Sequence, residues 1–293
     1  MGDESELTDA QKLTLAKNFI LQSPPAQQLK VVEDVRALVG TSVLTQQHEL
    51  SMLKMLNTKE FAAVSLPSGE KILLTPHGEL PDGTFLDPSS KQVVSVDHVK
   101  LACVNVQPMD AALLKTVEAA AQLRDPIDAA MRAHVEEVLP TGAVTTYGSS
   151  SASGMEIICC VAVLNSELAN YCAGRWWGEW KLSCSKGGNV GQLTGTIKCN
   201  VHFFEEGNVQ LTDGGTFHAE LPLTGDVGEA FAKKIALFEI EFLTKLEEIY
   251  ATLSEQVIQS LRRRLPITRT KFDWEKHTVA KLAMDLQTQA GLR

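Results

Sequence analysis

The sequence holds no Cys-x-x-Cys pair, no Asn-x-Ser/Thr sequon and no apolar run near the roughly 18 residues that cross a bilayer. Its six cysteines are Cys103, Cys159, Cys160, Cys172, Cys184 and Cys199. Without paired spacing they are expected to be reduced thiols in a cytosolic core. Neither the cysteines nor the histidines repeat at the short intervals of zinc ligands, so no metal site is expected. Gly-x-Gly-x-x-Gly, the P-loop and His-Glu-x-x-His are all missing. Ser151-Ala152-Ser153-Gly154 reads as a flexible link rather than a nucleophile elbow. Glu205 and Glu206 are adjacent, and neighbours on a strand point to opposite faces, so they cannot flank one substrate. His98 and His202 fall in or beside strand-like segments and read as structural residues. No enzyme, cofactor or catalytic residue is expected. The opening Met1-Gly2-Asp3-Glu4-Ser5-Glu6 is acidic and has no apolar core, so no signal peptide is expected. Glu6 also stands where a myristoylation signal needs Ser or Thr.

What is present is the composition of a soluble protein with a real core: 44% hydrophobic and 22% charged residues. The 293 residues suffice for one large domain or two ordinary ones. Residues 1–56 read as three short helices. Thr8 caps the first, which Ser23-Pro24-Pro25 ends. A second runs from about Ala26 to Val39 and stops at Gly40. A third, from about Thr41 to Leu56, is less regular.

Residues 57–225 read as a β-rich body. Phe61 to Leu66 and Lys71 to Thr75 flank Pro67-Ser68-Gly69-Glu70 as a hairpin. Gln92 to Val96 is another strand, and Leu101 to Asp110 is ambiguous. Asp110 to Leu139 is helical, with Pro126 expected to split it. Ala143 to Tyr147, Glu156 to Leu164, Trp176 to Ser185, Leu193 to Glu205 and Val209 to Leu211 follow as strands. Period-2 patterning with short Gly-containing links predicts an antiparallel meander. Trp176 and Trp180 share one face and Trp177 takes the other, which fits packing on both sides of a sheet.

From Asp226 the period becomes helical. Asp226 and Glu229 suggest a capping box. Phe231, Ile235, Phe238, Phe242, Leu246, Ile249, Leu253, Val257 and Leu261 then recur every three or four residues. This predicts one long helix over 226–265, stopped by Pro266 and lying across the sheet. Residues 266–293 form an amphipathic tail. Val279, Leu282, Ala283, Leu286 and Ala290 line one helical face, a stripe suited to a groove on a partner or to the chain's own core.

Charge singles out the same end. The net charge is −9, yet residues 261–293 carry eight Lys or Arg against three acids. That segment is +5 and the other 260 residues carry −14. A last-turn cation favours the helix dipole, which accounts for one or two of Arg262, Arg263 and Arg264. It does not account for Arg269, Lys271, Lys276 and Lys281 beyond the break. A surface for an anionic partner follows, with acidic protein, nucleic acid and anionic lipid all open on charge alone.

Three stretches carry a family resemblance. They are Leu261-Arg262-Arg263-Arg264-Leu265-Pro266-Ile267-Thr268-Arg269-Thr270-Lys271-Phe272-Asp273-Trp274, Gly174-Arg175-Trp176-Trp177-Gly178-Glu179-Trp180, and Val201-His202-Phe203-Phe204-Glu205-Glu206-Gly207-Asn208-Val209-Gln210-Leu211. Weaker matches are Phe85-Leu86-Asp87-Pro88, Val96-Asp97-His98-Val99 and the opening helix ending at Pro24-Pro25. In this order along nearly the whole chain, they resemble the alpha subunit of F-actin capping protein.

The resemblance implies an α+β fold: an N-terminal helical stalk, an antiparallel β-sheet shared with a partner subunit, a long C-terminal helix across the sheet and an amphipathic C-terminal tentacle. It implies an obligate heterodimer with a beta subunit, in the cytoplasm and on the cytoskeleton. Such a dimer binds the barbed end of the actin filament and blocks addition and loss of subunits. Arg263 and Arg269 match two basic positions at the actin contact, flanked by Arg262, Arg264 and Lys271. A third position, lysine in many members, is Gln259 here. Trp274, Val279, Leu282 and Leu286 match the tentacle in character. Phosphatidylinositol bisphosphate would act through Arg263 and Arg269; nucleic acid is not an expected partner. The competing expectation, from charge, is a basic-armed adaptor for anionic lipid or nucleic acid that does not cap.

Overall fold

The structure is a computed structural model that describes residues 7–204 and 209–252. The chain divides into two units, residues 1–239 and 240–293. The first holds all the sheets; the second is described over residues 240–252, which are helical.

The N-terminal helices are α1 (Asp9–Leu21), α2 (Gln28–Val39) and α3 (Gln46–Lys59). Thr8 caps α1: its hydroxyl accepts from the Gln11 N–H at 3.3 Å, and Gln11 Oε1 accepts from the Thr8 N–H at 2.9 Å. Gly40, at φ +85°, ends α2 in a conformation that side chains resist. Helix α3 starts five residues later than its periodicity suggests. Thr45 is the N-cap and accepts from the His48 N–H, and turns fill the segment after Gly40. Ala16, Ile20, Val32, Val35, Leu44, Met52 and Leu53 form a core among these helices.

Strands β1 (Ala63–Ser65) and β2 (Lys71–Leu73) form the expected hairpin around Gly69. Strands β3 (Phe85–Asp87), β4 (Gln92–Asp97) and β5 (Ala102–Pro108) make a three-stranded antiparallel sheet, so the ambiguous stretch is a strand. Val64, Leu66, Ile72, Leu74, Phe85 and Val94 bury its contacts with the hairpin.

Two helices follow, α4 (Ala111–Glu118) and α5 (Ala121–Val138). Their break lies at Ala119-Ala120 and not at Pro126. Ala120 is fully buried where the backbone of Gly148 comes close; a Cβ on Gly148 would stand 2.7 Å from that of Ala120. Pro126 is the sixth residue of α5, and the helix continues through it. Gly228 packs close at this point: a Cβ on it would lie 2.3 Å from the Pro126 carbonyl oxygen.

The main sheet comprises β6 (Ala143–Ser150), β7 (Gly154–Glu167), β8 (Cys172–Ser185), β9 (Val190–Phe203) and β10 (Val209–Pro222). It is the predicted antiparallel meander, in the order β10-β9-β8-β7-β6. Strand β10 has 14 residues, against the three expected. The strand runs past its expected end at Leu211, because the pairing with β9 is unbroken through Asp213-Gly214-Gly215, from Val209↔Phe203 to Pro222↔Val190.

The final helix, α6 (Val227–Thr252), begins at Asp226, whose carboxylate accepts from the Glu229 N–H at 2.9 Å. Only half of the capping box forms, because Glu229 turns to Lys233, 2.6 Å away. Phe231 and Ile235 are fully buried. Phe238 stacks on Trp180, with ring centroids 5.8 Å apart and planes at 10°, and touches Phe217 at 4.9 Å. On the opposite face of the sheet Trp177 joins Phe61, Leu73, Tyr147, Cys160 and Ala162. Alternating tryptophans thus serve two cores, as their spacing predicts. The expected run of α6 from residue 253 to Pro266 lies outside the described residues.

Candidate interaction surface

The residues singled out from charge and resemblance, Gln259, Arg262, Arg263, Arg264, Arg269, Lys271, Trp274, Val279, Leu282 and Leu286, all lie outside the described residues. What the described body offers is a surface for assembly, and the two edges of its main sheet differ. Near the β6 edge two hydrogen bonds reach over from the hairpin: the Leu73 N–H donates to Thr145 Oγ1 at 2.9 Å, and Lys71 Nζ donates to the Thr141 carbonyl at 2.8 Å.

At the other edge, no strand among the described residues pairs with the outer side of β10. Fourteen residues at about 3.4 Å each make this edge roughly 48 Å long. Natural proteins blunt such edges with lysines, prolines or bulges. Strand β10 has no lysine, and its single proline is its last residue. Phe217 and Leu221 anchor one face in the core, while Gln210, Thr212, Thr216, His218 and Glu220 stay exposed on the other. The result is a firmly held template of main-chain donors and acceptors.

Exposed apolar side chains occur on three helices. Leu15 and Phe19 lie one turn apart on α1, Phe19 at 62% exposure, and Leu38 of α2 reaches 82%. Leu237 of α6 is 60% exposed while Phe231, Ile235 and Phe238 of the same helix face inward.

Buried ion pairs join α3 to β8 and α5 to α6. Arg175 Nη1 of β8 lies 3.0 Å from Glu60 Oε2, at the end of α3, and both side chains are nearly sealed from water. Burial raises the Glu60 carboxyl above its usual range and lowers the Arg175 guanidinium. His134 of α5 meets Glu239 of α6 at 2.7 Å. The hydrogen bond to Glu239 raises the imidazole above its usual 6.5. A raised folded value stabilises fully below the unfolded value, and the contribution is lost as pH rises through the folded value. Urea unfolding of the protein and of its His134→Gln variant should therefore show a stability gap that is wide near about pH 6 and narrow near about pH 9. A gap that widens with pH would contradict this account.

One group of polar side chains escaped the reading of the sequence. His77, Cys160 and Glu179 converge from three separate segments, with His77 Nε2 and Glu179 Oε2 3.0 Å apart. Ligand spacing is a local signal, and these residues lie up to 102 positions apart. No helix among the described residues is long and apolar enough to cross a membrane.

The fold is thus α+β, with a five-stranded antiparallel sheet whose β10 edge has no further strand among the described residues. The sequence profile of the family "F-actin capping protein alpha subunit" matches residues 16–285. Among relatives, an F-actin-capping protein subunit alpha of Dictyostelium discoideum is 31% identical over 275 residues, covering 93% of this chain and 96% of the relative. One of Arabidopsis thaliana is 28% identical over 298 residues, covering 99% and 96%. The solved structure of a homodimeric actin capping protein alpha subunit from Plasmodium berghei superposes with a TM-score of 0.69 at 17% identity, over 81% of this chain and 92% of the other. The chain belongs to the F-actin capping protein alpha subunit family.

Proposed function

We propose that this chain is the alpha subunit of a heterodimer that binds the barbed end of the actin filament and blocks addition and loss of subunits. The observation that carries the reading is the family match over residues 16–285. The open edge of β10 supports the assembly part: a beta subunit pairs its own strand there and continues the antiparallel sheet. Exposed Leu15, Phe19, Leu38 and Leu237 are the apolar surface such a partner covers.

In this reading Arg262, Arg263, Arg264, Arg269 and Lys271, with Gln259, contact acidic actin surface. Trp274, Val279, Leu282 and Leu286 occupy an apolar cleft on a terminal actin. Phosphatidylinositol bisphosphate competes through Arg263 and Arg269. The chain works by binding rather than turnover, in the cytoplasm and on the cytoskeleton.

The test is seeded growth. Co-expressed with a beta subunit, the chain at nanomolar heterodimer should slow pyrene-actin elongation from barbed ends. Full-rate growth, with the heterodimer retained on anionic vesicles or nucleic acid, would establish instead an adaptor that does not cap. Deleting residues 272–293 should weaken capping while leaving the thermal midpoint of the heterodimer within a few degrees. A large drop in that midpoint would show that the tail packs on its own core.

A further inference from the structure

We propose that His77, Cys160 and Glu179 form a binding site for one zinc ion. Their ligand atoms, an imidazole nitrogen, a thiol sulfur and a carboxylate oxygen, all lie within 4.8 Å of one another. Zinc takes bonds of about 2.0–2.3 Å to these donors, so a tetrahedral site sets its ligand atoms roughly 3.3–3.8 Å apart. The cluster is within about an ångström of that arrangement. His77 Nε2 and Glu179 Oε2, now 3.0 Å apart, need to separate by only a few tenths of an ångström.

The donor set matches the metal. Thiolate, imidazole and carboxylate together suit Zn²⁺ better than the hard cations, which favour oxygen alone. Three protein ligands leave the fourth position to water, and access is available on that side. The His77 and Glu179 side chains are 29% and 38% exposed, whereas Cys160 is fully buried at the base. Binding replaces the thiol proton of Cys160 with the metal.

The framework holds all three ligands. Cys160 and Glu179 are register partners on β7 and β8, so their side chains emerge side by side on one face of the sheet. Cys160 is walled in by Phe61, Leu73, Tyr147 and Trp177. His77 sits on the turn after β2, its ring tilted against Tyr147 at 6.1 Å. The turn is fastened at its next residue: a Cβ on Gly78 would lie 2.4 Å from Tyr147 Oη, so only glycine lets the chain pass. Thr75 Oγ1 donates to Tyr147 Oη at 3.0 Å from the same turn. A metal here would staple the turn after the hairpin to the middle of the main sheet.

Cobalt reports on such a site directly. The purified heterodimer, stripped with chelator and dialysed, should bind one equivalent of Co²⁺ with an intense near-ultraviolet thiolate-to-cobalt band and tetrahedral visible absorption, and Zn²⁺ should abolish both. The Cys160→Ser variant should lose the thiolate band. The His77→Gln variant, altered on a partly exposed turn and therefore able to fold if Cys160→Ser does not, should weaken Zn²⁺ binding at least about tenfold. A Cys199→Ser control should bind as the parent does. Absence of one-to-one binding, a cobalt spectrum without the thiolate band, or Zn²⁺ affinity unchanged by His77→Gln would each overturn the proposal.

Discussion

Glu60→Ala is expected to destabilise the protein by about 3–5 kcal/mol, the range for removing one partner of a buried ion pair. The substitution removes few atoms, but it strands a charge. Arg175 keeps its bond to the Glu60 carbonyl at 3.3 Å and loses the carboxylate that it pairs with among the described residues. Its side chain is 5% exposed, so water cannot take the place of the carboxylate. Burial already lowers the guanidinium and raises the carboxyl, which means desolvation outweighs mutual attraction for both groups. The pair is therefore costly in itself and much costlier when broken. The double variant Glu60→Leu/Arg175→Met should recover most of the loss, because apolar residues of similar size carry no desolvation penalty. Urea unfolding followed by tryptophan fluorescence distinguishes the cases. A Glu60→Ala loss under about 1 kcal/mol, or a double variant worse than the single, would contradict the account. The pair sits where α3 meets β8, so its loss should also loosen the attachment of the N-terminal helices to the sheet.

Much of this architecture was legible from local pattern. Alternation placed Trp177 and Trp180 on opposite faces of one strand, and each is buried in a different core. Thr8, Gly40 and Asp226 marked helix ends because capping is chemistry between near neighbours. Misreadings arose where a tertiary contact overrode a local signal. Asp213-Gly214-Gly215 carries turn residues, yet β9 supplies a partner at every position and β10 runs on. Pro126 carries the strongest helix-breaking signal in its segment, yet the helix continues through it and the break falls at Ala119-Ala120. The His77–Cys160–Glu179 group was illegible for a related reason. Only the register of β7 with β8 brings its cysteine beside its glutamate. The proposed binding arm presents the opposite situation. Its charge and apolar stripe are plain in the sequence, and residues 253–293 lie outside the described structure.

Replacing both Arg263 and Arg269 with Ala is expected to weaken capping by roughly 10²–10³-fold. The figure follows from about 2 kcal/mol for each truncated charge at a desolvated contact, the low end of the range for such pairs. The two arginines belong to the only stretch of strong positive charge in a chain that is otherwise −14. An acidic body repels an acidic filament, so the basic segment must both orient the approach and supply the contact. Losing it should slow association as well as speed dissociation, and the variant should depend less on salt than the parent. The heterodimer should survive, because the features proposed to hold it, the β10 edge and the exposed apolar residues, all precede residue 253. Gel filtration with the beta subunit tests that, and seeded pyrene-actin growth across a salt series tests the rest. Capping unchanged by the double substitution would remove these arginines from the contact, and loss of the heterodimer would assign them a structural role. Gln259→Lys supplies the converse measurement: the lysine that the family resemblance implies at this position should quicken association most at low salt, and an unchanged rate would place position 259 outside the contact.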